Sequence, residues 1–138
     1  ESLPEQISFV TVDASFISLK ILLPVIKSWF IPPSISPHFS EMEGVKELGV
    51  VALIKPQFEA GKKDVARGDG VIRDPEIHRQ VLLDVLSFAR DAGFGLRGLI
   101  KSPLLGPKGN AEFLTWLGLV PGGLPVEELV AGVIQGES

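Results

Sequence analysis

Val50-Val51-Ala52-Leu53-Ile54-Lys55-Pro56-Gln57-Phe58-Glu59 runs five apolar residues straight into a lysine and a proline, with a glutamate soon after. A near-continuous apolar run of this length, stopped by proline, reads as a buried strand over roughly 49–55. Its last residues are delivered to the end of a sheet. Upstream, Ile7-Ser8-Phe9-Val10-Thr11-Val12 alternates and is rich in β-branched residues, which predicts a second strand ending at Asp13. Between the two, Leu19, Leu22, Leu23 and Ile26 recur at helical spacing, so a helix is expected from Ser18 to Trp29 with a kink or break at Pro24. Residues 2–6 read as a helix end or loop, and the Pro/Ser-rich segment 31–48 as a loop carrying His38.

Downstream, Gly61 to Gly70 reads as a polar, glycine-rich loop. Asp74-Pro75-Glu76 has the chemistry of a helix start: a capping carboxylate, a proline at the first helical position, an acid in the first turn. That helix is expected to reach Ala92, with Ile77, Val81, Val85 and Phe88 on its apolar face, flanked by Leu82, Leu86 and Ala89, His78 on its surface and Gly93 as its stop. Strands over Phe94–Lys101 and Ala111–Leu119 follow, joined by a connection too tight for a parallel crossover, and a short helix opens at Pro125. The order β-α-β-α-β-β-α predicts an α/β fold with a mostly parallel sheet covered on both faces and an antiparallel last strand. In such sheets ligands bind at the carboxyl ends of the strands. Asp13 and Lys55 each end a parallel strand, so they are expected on one rim.

Bulk properties narrow the function. The chain has 138 residues, one domain's worth, with 45% hydrophobic and 22% charged content. Thirteen basic and 17 acidic residues give a net charge of -4, unlike a strongly basic nucleic-acid module, although a local basic patch remains compatible. There is no cysteine and there are two histidines, which excludes thiol nucleophiles and thiolate metal sites and disfavours a histidine-based one. Phe16 to Pro33 is interrupted by Lys20 and Lys27 and is no clean membrane span. The first residues lack the pattern of a signal peptide.

A lysine beside carboxylates can act as a general base on an alcohol if its surroundings let it lose a proton. Asp13 and Lys55 are candidates by position, and Glu112 could approach from the neighbouring antiparallel strand; Glu59 could replace Glu112 in that picture. The competing reading is a half-exposed ion pair of small energetic weight. Lys62, Lys63, Arg67, Arg73 and Arg79 could contact phosphates, or could form a solvated, charge-balanced surface with Asp64, Asp69 and Asp74.

Four runs carry a resemblance when taken in order: Val12-Asp13-Ala14-Ser15-Phe16-Ile17-Ser18-Leu19, Leu53-Ile54-Lys55-Pro56-Gln57-Phe58-Glu59-Ala60-Gly61, Gly70-Val71-Ile72-Arg73-Asp74, and Ser102-Pro103-Leu104-Leu105-Gly106-Pro107-Lys108-Gly109-Asn110-Ala111-Glu112-Phe113. Together they resemble the C-terminal half of the TlyA (hemolysin A-like) proteins, which are FtsJ-type, S-adenosylmethionine-dependent ribosomal RNA 2′-O-methyltransferases. The likeness covers nearly all of residues 3–118. It implies the second half of a Rossmann-like methyltransferase fold. Of the family's Lys-Asp-Lys-Glu set, it makes Asp13 the aspartate, Lys55 the general base on a ribose 2′-hydroxyl and Glu112 the glutamate. It also places S-adenosylmethionine against the turn Asp13, Ala14, Ser15 and Phe16, and makes ribosomal RNA or a ribosomal subunit the partner. No metal is implied, and the location implied is cytoplasmic.

By the same resemblance, the family's first catalytic lysine, its glycine-rich cofactor loop, its ribose-holding acid and its S4-like RNA-binding domain fall upstream of this chain, and segment 31–48 is longer than usual. The isolated chain is then expected to bind the cofactor weakly and not to turn over, and to offer an open sheet edge for a homodimer. Two other function classes stand beside the enzyme: a catalytically silent RNA-binding or assembly module, and a membrane-active hemolysin. The latter finds no span and no amphipathic basic helix here.

Overall fold

β1 (Phe9–Val12) and β2 (Gly49–Ile54) pair in parallel, with Val12 opposite Ala52. They begin a five-stranded sheet of order β1-β2-β4-β3-β5. The structure is a computed structural model and describes residues 7–30 and 48–136. The loop or helix end expected at 2–6, and the Pro/Ser-rich segment with His38 as far as Glu47, lie outside the described residues.

β3 (Gly95–Lys101) leads through a 3-10 turn at Pro107–Gly109 into β4 (Phe113–Gly118), and the two pair antiparallel as expected. β4 does not lie outside β3. It inserts between β2 and β3, antiparallel to both, so β1, β2 and β3 all point the same way. A two-residue strand, β5 (Gly122–Gly123), which the sequence reading missed, adds in parallel to β3. Both its glycines have positive φ, 111° and 96°, a backbone that carries no helical or strand signature.

Helix α1 (Leu19–Phe30) buries Leu19, Leu23, Ile26 and Phe30, one stripe at helical spacing, and runs through Pro24 without ending. The loop expected over Gly61 to Gly70 instead contains a short helix, α3 (Lys62–Arg67), and another, α2 (Pro56–Glu59), precedes it; Pro56 at the first position of α2 and Gly61 before α3 set their starts. α4 (Pro75–Asp91) starts as its sequence requires: the Asp74 side chain accepts a hydrogen bond from Glu76 N at 2.9 Å. Gly93 follows it at φ 92°. α5 (Val126–Gln135) closes the chain.

α1, α4 and α5 pack side by side and bury one sheet face; Val50, Ala52, Ile54, Phe113 and Leu117 are fully buried there against Leu82, Val85 and Leu86. Apart from Ala52, each such side chain contributes roughly 1.5–3 kcal/mol on transfer from water. The expected second layer is not found among the described residues. Phe9, Trp116 and Ile100, which the strand register places on the opposite face, are about half exposed.

Two expectations for α4 are corrected. Its buried stripe keeps Val81 and Val85 but runs through the flanking Leu82, Leu86 and Ala89, leaving Ile77 and Phe88 at the margins. His78 is not on the surface: it is 3% exposed, its Nε2 lies 2.9 Å from Ile72 O, and its ring meets Phe113 edge-on. A backbone carbonyl within hydrogen-bond distance suits a buried imidazole, and the amphipathic pattern alone does not reveal it.

Candidate active site

The register of the sheet builds the site. Ile54, the last residue of β2, pairs with Phe113, the first of β4. The next residue outward on β2 is Lys55 and on β4 is Glu112, so the antiparallel pairing sets them on one rim. β1 lies beside β2 and delivers Asp13 to the same rim one residue after Val12. Three residues far apart in sequence are gathered by strand pairing alone.

Lys55 is 9% exposed and sits at the N-cap of α2 in an extended conformation. Its Nζ lies 2.5 Å from Asp13 Oδ1 and donates to Ser15 Oγ at 3.1 Å. Asp13 itself stays open, with a side chain 71% exposed. A buried stem with its charged end held at a solvent-facing rim is the arrangement an amine needs to meet a hydroxyl arriving from outside.

Glu112 is the opposite case. It is 6% exposed, and Gln57 Nε2 donates to its Oε1 at 3.3 Å. Gly106 leaves it room: a Cβ there would come within 2.0 Å of Glu112 Oε1. Asn110, two residues earlier, is 2% exposed and ties two loops together. Its Oδ1 accepts from Ile72 N at 2.9 Å, while Nδ2 donates to Gly70 O at 2.9 Å and Pro107 O at 3.1 Å. Lys108 adds a bond from Nζ to Asp69 O at 3.2 Å. Asp69 and Lys108 both have positive φ, 53° and 58°, so this loop pair also stores backbone strain.

Glu59 drops out of the constellation. Its carboxylate accepts from Ser18 Oγ at 2.6 Å and Leu19 N at 2.8 Å and so caps the start of α1 from a distance in sequence. Sequence reading missed this cap, because the usual signal is a capping residue beside the helix rather than 40 positions away.

The turn Asp13, Ala14, Ser15 and Phe16 lies at the carboxyl end of β1. Phe16 holds φ 63° and is 91% exposed, with its ring 4.9 Å from that of Phe58. Phe16, Phe58, Gln57, Lys62, Val65 and Ala66 line an open cavity of about 520 Å³. The basic residues Lys62, Lys63 and Arg67 are exposed on or beside α3 and Arg73 is exposed before α4, with Asp64 and Asp69 interleaved. Arg79 pairs with Glu76 at 3.3 Å on α4. Among the described residues no group of acids and histidines is placed to hold a metal ion, and no helix is long and apolar enough to cross a membrane.

Comparison with known proteins gives the same direction. Residues 1–119 match the family described as FtsJ-like methyltransferase. YqxC of Bacillus subtilis (strain 168), a candidate rRNA methyltransferase, is 39% identical over 127 residues, covering 88% of this chain and 40% of that protein. The 16S/23S rRNA (cytidine-2'-O)-methyltransferase TlyA of Mycobacterium tuberculosis is 34% identical over 117 residues, covering 85% of this chain and 38% of that protein. The crystal structure of a candidate hemolysin from Lactococcus lactis superposes with a TM-score of 0.74 at 34% identity, covering 94% of this chain and 57% of the other. The chain thus spans about 40% of the length of the curated relatives it matches.

Proposed function

The chain belongs to the FtsJ-like methyltransferase family, and from that premise we propose that it carries the base-bearing part of a site that methylates a ribose 2′-hydroxyl in ribosomal RNA. The observation that supports the reading is the Lys55–Asp13 contact of 2.5 Å at the carboxyl rim, with Glu112 just before the neighbouring strand β4. Lys55 Nζ, in its free-base form, takes the proton of the hydroxyl; Asp13 and Ser15 hold the amine at the rim while this happens. The oxygen left by that proton is the nucleophile that would accept a methyl group from a bound donor.

S-adenosylmethionine, the family's donor, supplies when bound a methyl group already activated on a sulfonium. The rim suits it: the exposed Asp13 carboxylate attracts a cation, and the exposed Phe16 ring offers a face to a base or a sulfonium. Asp13, Ala14, Ser15 and Phe16 would hold it on this side. Positioning and proton removal are the protein's share of such a transfer, worth up to several orders of magnitude in rate.

Lys62, Lys63, Arg67 and Arg73 would take the RNA backbone, each adding to a salt-dependent phosphate affinity. The reaction belongs in the cytoplasm, with a ribosomal subunit or its RNA as partner. The 138-residue chain alone is expected to show no turnover and only weak S-adenosylmethionine binding, since the resemblance assigns the remaining cofactor contacts to other residues. A micromolar dissociation constant for this chain by calorimetric titration would contradict that.

The function is tested with full-length protein, S-adenosylmethionine and ribosomal RNA. A 2′-O-methyl group blocks alkaline cleavage at its own nucleotide, so one new alkali-resistant position is expected. Methylation that leaves every position alkali-sensitive would place the methyl on a base and overturn the ribose assignment.

A further inference from the structure

We propose that Gln57 is a positioning residue for methyl transfer: its side-chain amide holds the Glu112 carboxylate in place on the rim that carries Lys55. This role rests on the reading of Lys55 and Glu112 given above. Gln57 lies two residues after Lys55, in the short helix that Lys55 precedes as N-cap and that Phe58 N→Lys55 O at 2.9 Å and Ala60 N→Pro56 O at 2.8 Å close. The base-bearing segment and the glutamate strand are therefore joined by one side-chain contact, Gln57 Nε2 to Glu112 Oε1 at 3.3 Å.

The two ends of the Gln57 amide differ. The nitrogen donates to Glu112, whereas the buried Oε1 has no hydrogen-bond partner in the protein. A buried acceptor without a partner costs stability, and an apolar side chain of the same size would avoid that cost. What the amide supplies in return is a donor for a carboxylate that is 6% exposed and needs one.

Glu112 is enclosed from the other side as well. Gly106 abuts its head closely enough that a Cβ would sit 2.0 Å from Oε1. Its backbone is fixed by β4 pairing and by Asn110 two residues upstream. Gln57 is thus the polar contact that sets where the carboxylate head points.

The test uses the full-length protein and single-substitution kinetics on ribosomal RNA. Gln57→Met keeps the side-chain length and removes the amide; kcat is expected to fall about tenfold or more while KM for RNA stays within about threefold, because RNA is held elsewhere. Gln57→Glu keeps the shape and sets two carboxylates at hydrogen-bond distance, which then share a proton. The folded pair releases that proton at a higher pH than the unfolded chain, so the variant is stable at low pH and loses stability as pH rises through the pair's titration. Its kcat gains a limb falling in the same direction that the wild type lacks.

A folded Gln57→Met protein with kcat within about twofold of wild type, or a Gln57→Glu pH profile superimposable on the wild type, overturns the proposal. If both variants fail to fold, Gly106→Ala displaces the same carboxylate without altering a polar group, and an unchanged kcat there overturns it equally. Lys55→Ala separates the two layers of argument. Full methylation by that variant breaks the reading of the base. An inactive Lys55→Ala beside a fully active Gln57→Met breaks only the positioning role.

Discussion

Asp13 and Glu112 stand on the same rim as Lys55, yet the Asp13 side chain is 71% exposed and Glu112 keeps only 6% of its surface in contact with solvent. Asp13 touches the lysine through a short ion pair at the end of a parallel strand. Glu112 is packed under Gly106 and hydrogen-bonded to Gln57, in a loop that Asn110 ties to Gly70 and Ile72. Identical charge therefore serves two ends. The open carboxylate acts through Coulomb attraction, which solvent weakens, and the enclosed one through fixed geometry, which solvent does not reach.

The contrast can be broken by substitution, beginning on the enclosed side. Asn110→Ala removes three hydrogen bonds and orphans the buried Ile72 N–H, so a loss of about 3 kcal/mol is expected in denaturant unfolding. A loss under about 0.5 kcal/mol would show that the loop clamp is incidental. On the open side, Asp13→Asn should change stability by no more than about 1 kcal/mol while lowering methylation sharply. If stability and activity fell together, Asp13 would be a structural residue and the comparison would fail.

Lys27 extends the comparison to a cation away from the rim. It donates to Ala92 O at 2.5 Å and lies 5.3 Å from the centre of the Phe94 ring, and burial lowers its pKa below the ordinary 10.5. A lysine whose folded pKa is depressed is less favourable charged in the folded state than in the unfolded one. Its penalty is full below the folded pKa and fades as pH rises through that value toward 10.5. The stability difference between wild-type protein and Lys27→Met should therefore stay constant around neutrality and shift in favour of the wild type as pH is raised through that alkaline window. A flat difference between the two across that window would contradict the assignment.

Much of this arrangement is legible in the sequence. Strand ends at Asp13 and Lys55 follow from two apolar runs, and Pro75 with Asp74 marks the start of α4. The insertion of β4 between β2 and β3 was not legible, because a tight connection specifies an antiparallel pair but not which edge the returning strand takes. The short helices α2 and α3 hid in a stretch whose glycines and charges resemble a loop.

Within the site, charge drew attention to Asp13, Lys55 and Glu112, while the neutral amides Gln57 and Asn110 drew none. Their importance lies in burial and in partners 55 and 38 positions away, which no local pattern encodes. Glu59 is the reverse case: position alone makes it as eligible as Glu112, the resemblance passes it over, and its partners Ser18 and Leu19 are helix-capping ones.

The claim at the centre is that Lys55 removes the proton from a ribose hydroxyl. Full-length protein carrying Lys55→Ala, assayed on ribosomal RNA with saturating S-adenosylmethionine, tests it most directly. Methylation is expected to drop by about two to four orders of magnitude, with RNA affinity within about twofold of wild type. Methylation persisting near the wild-type rate would contradict the role of Lys55 and, with it, the reading of the rim as the base-bearing side of a methyltransferase site.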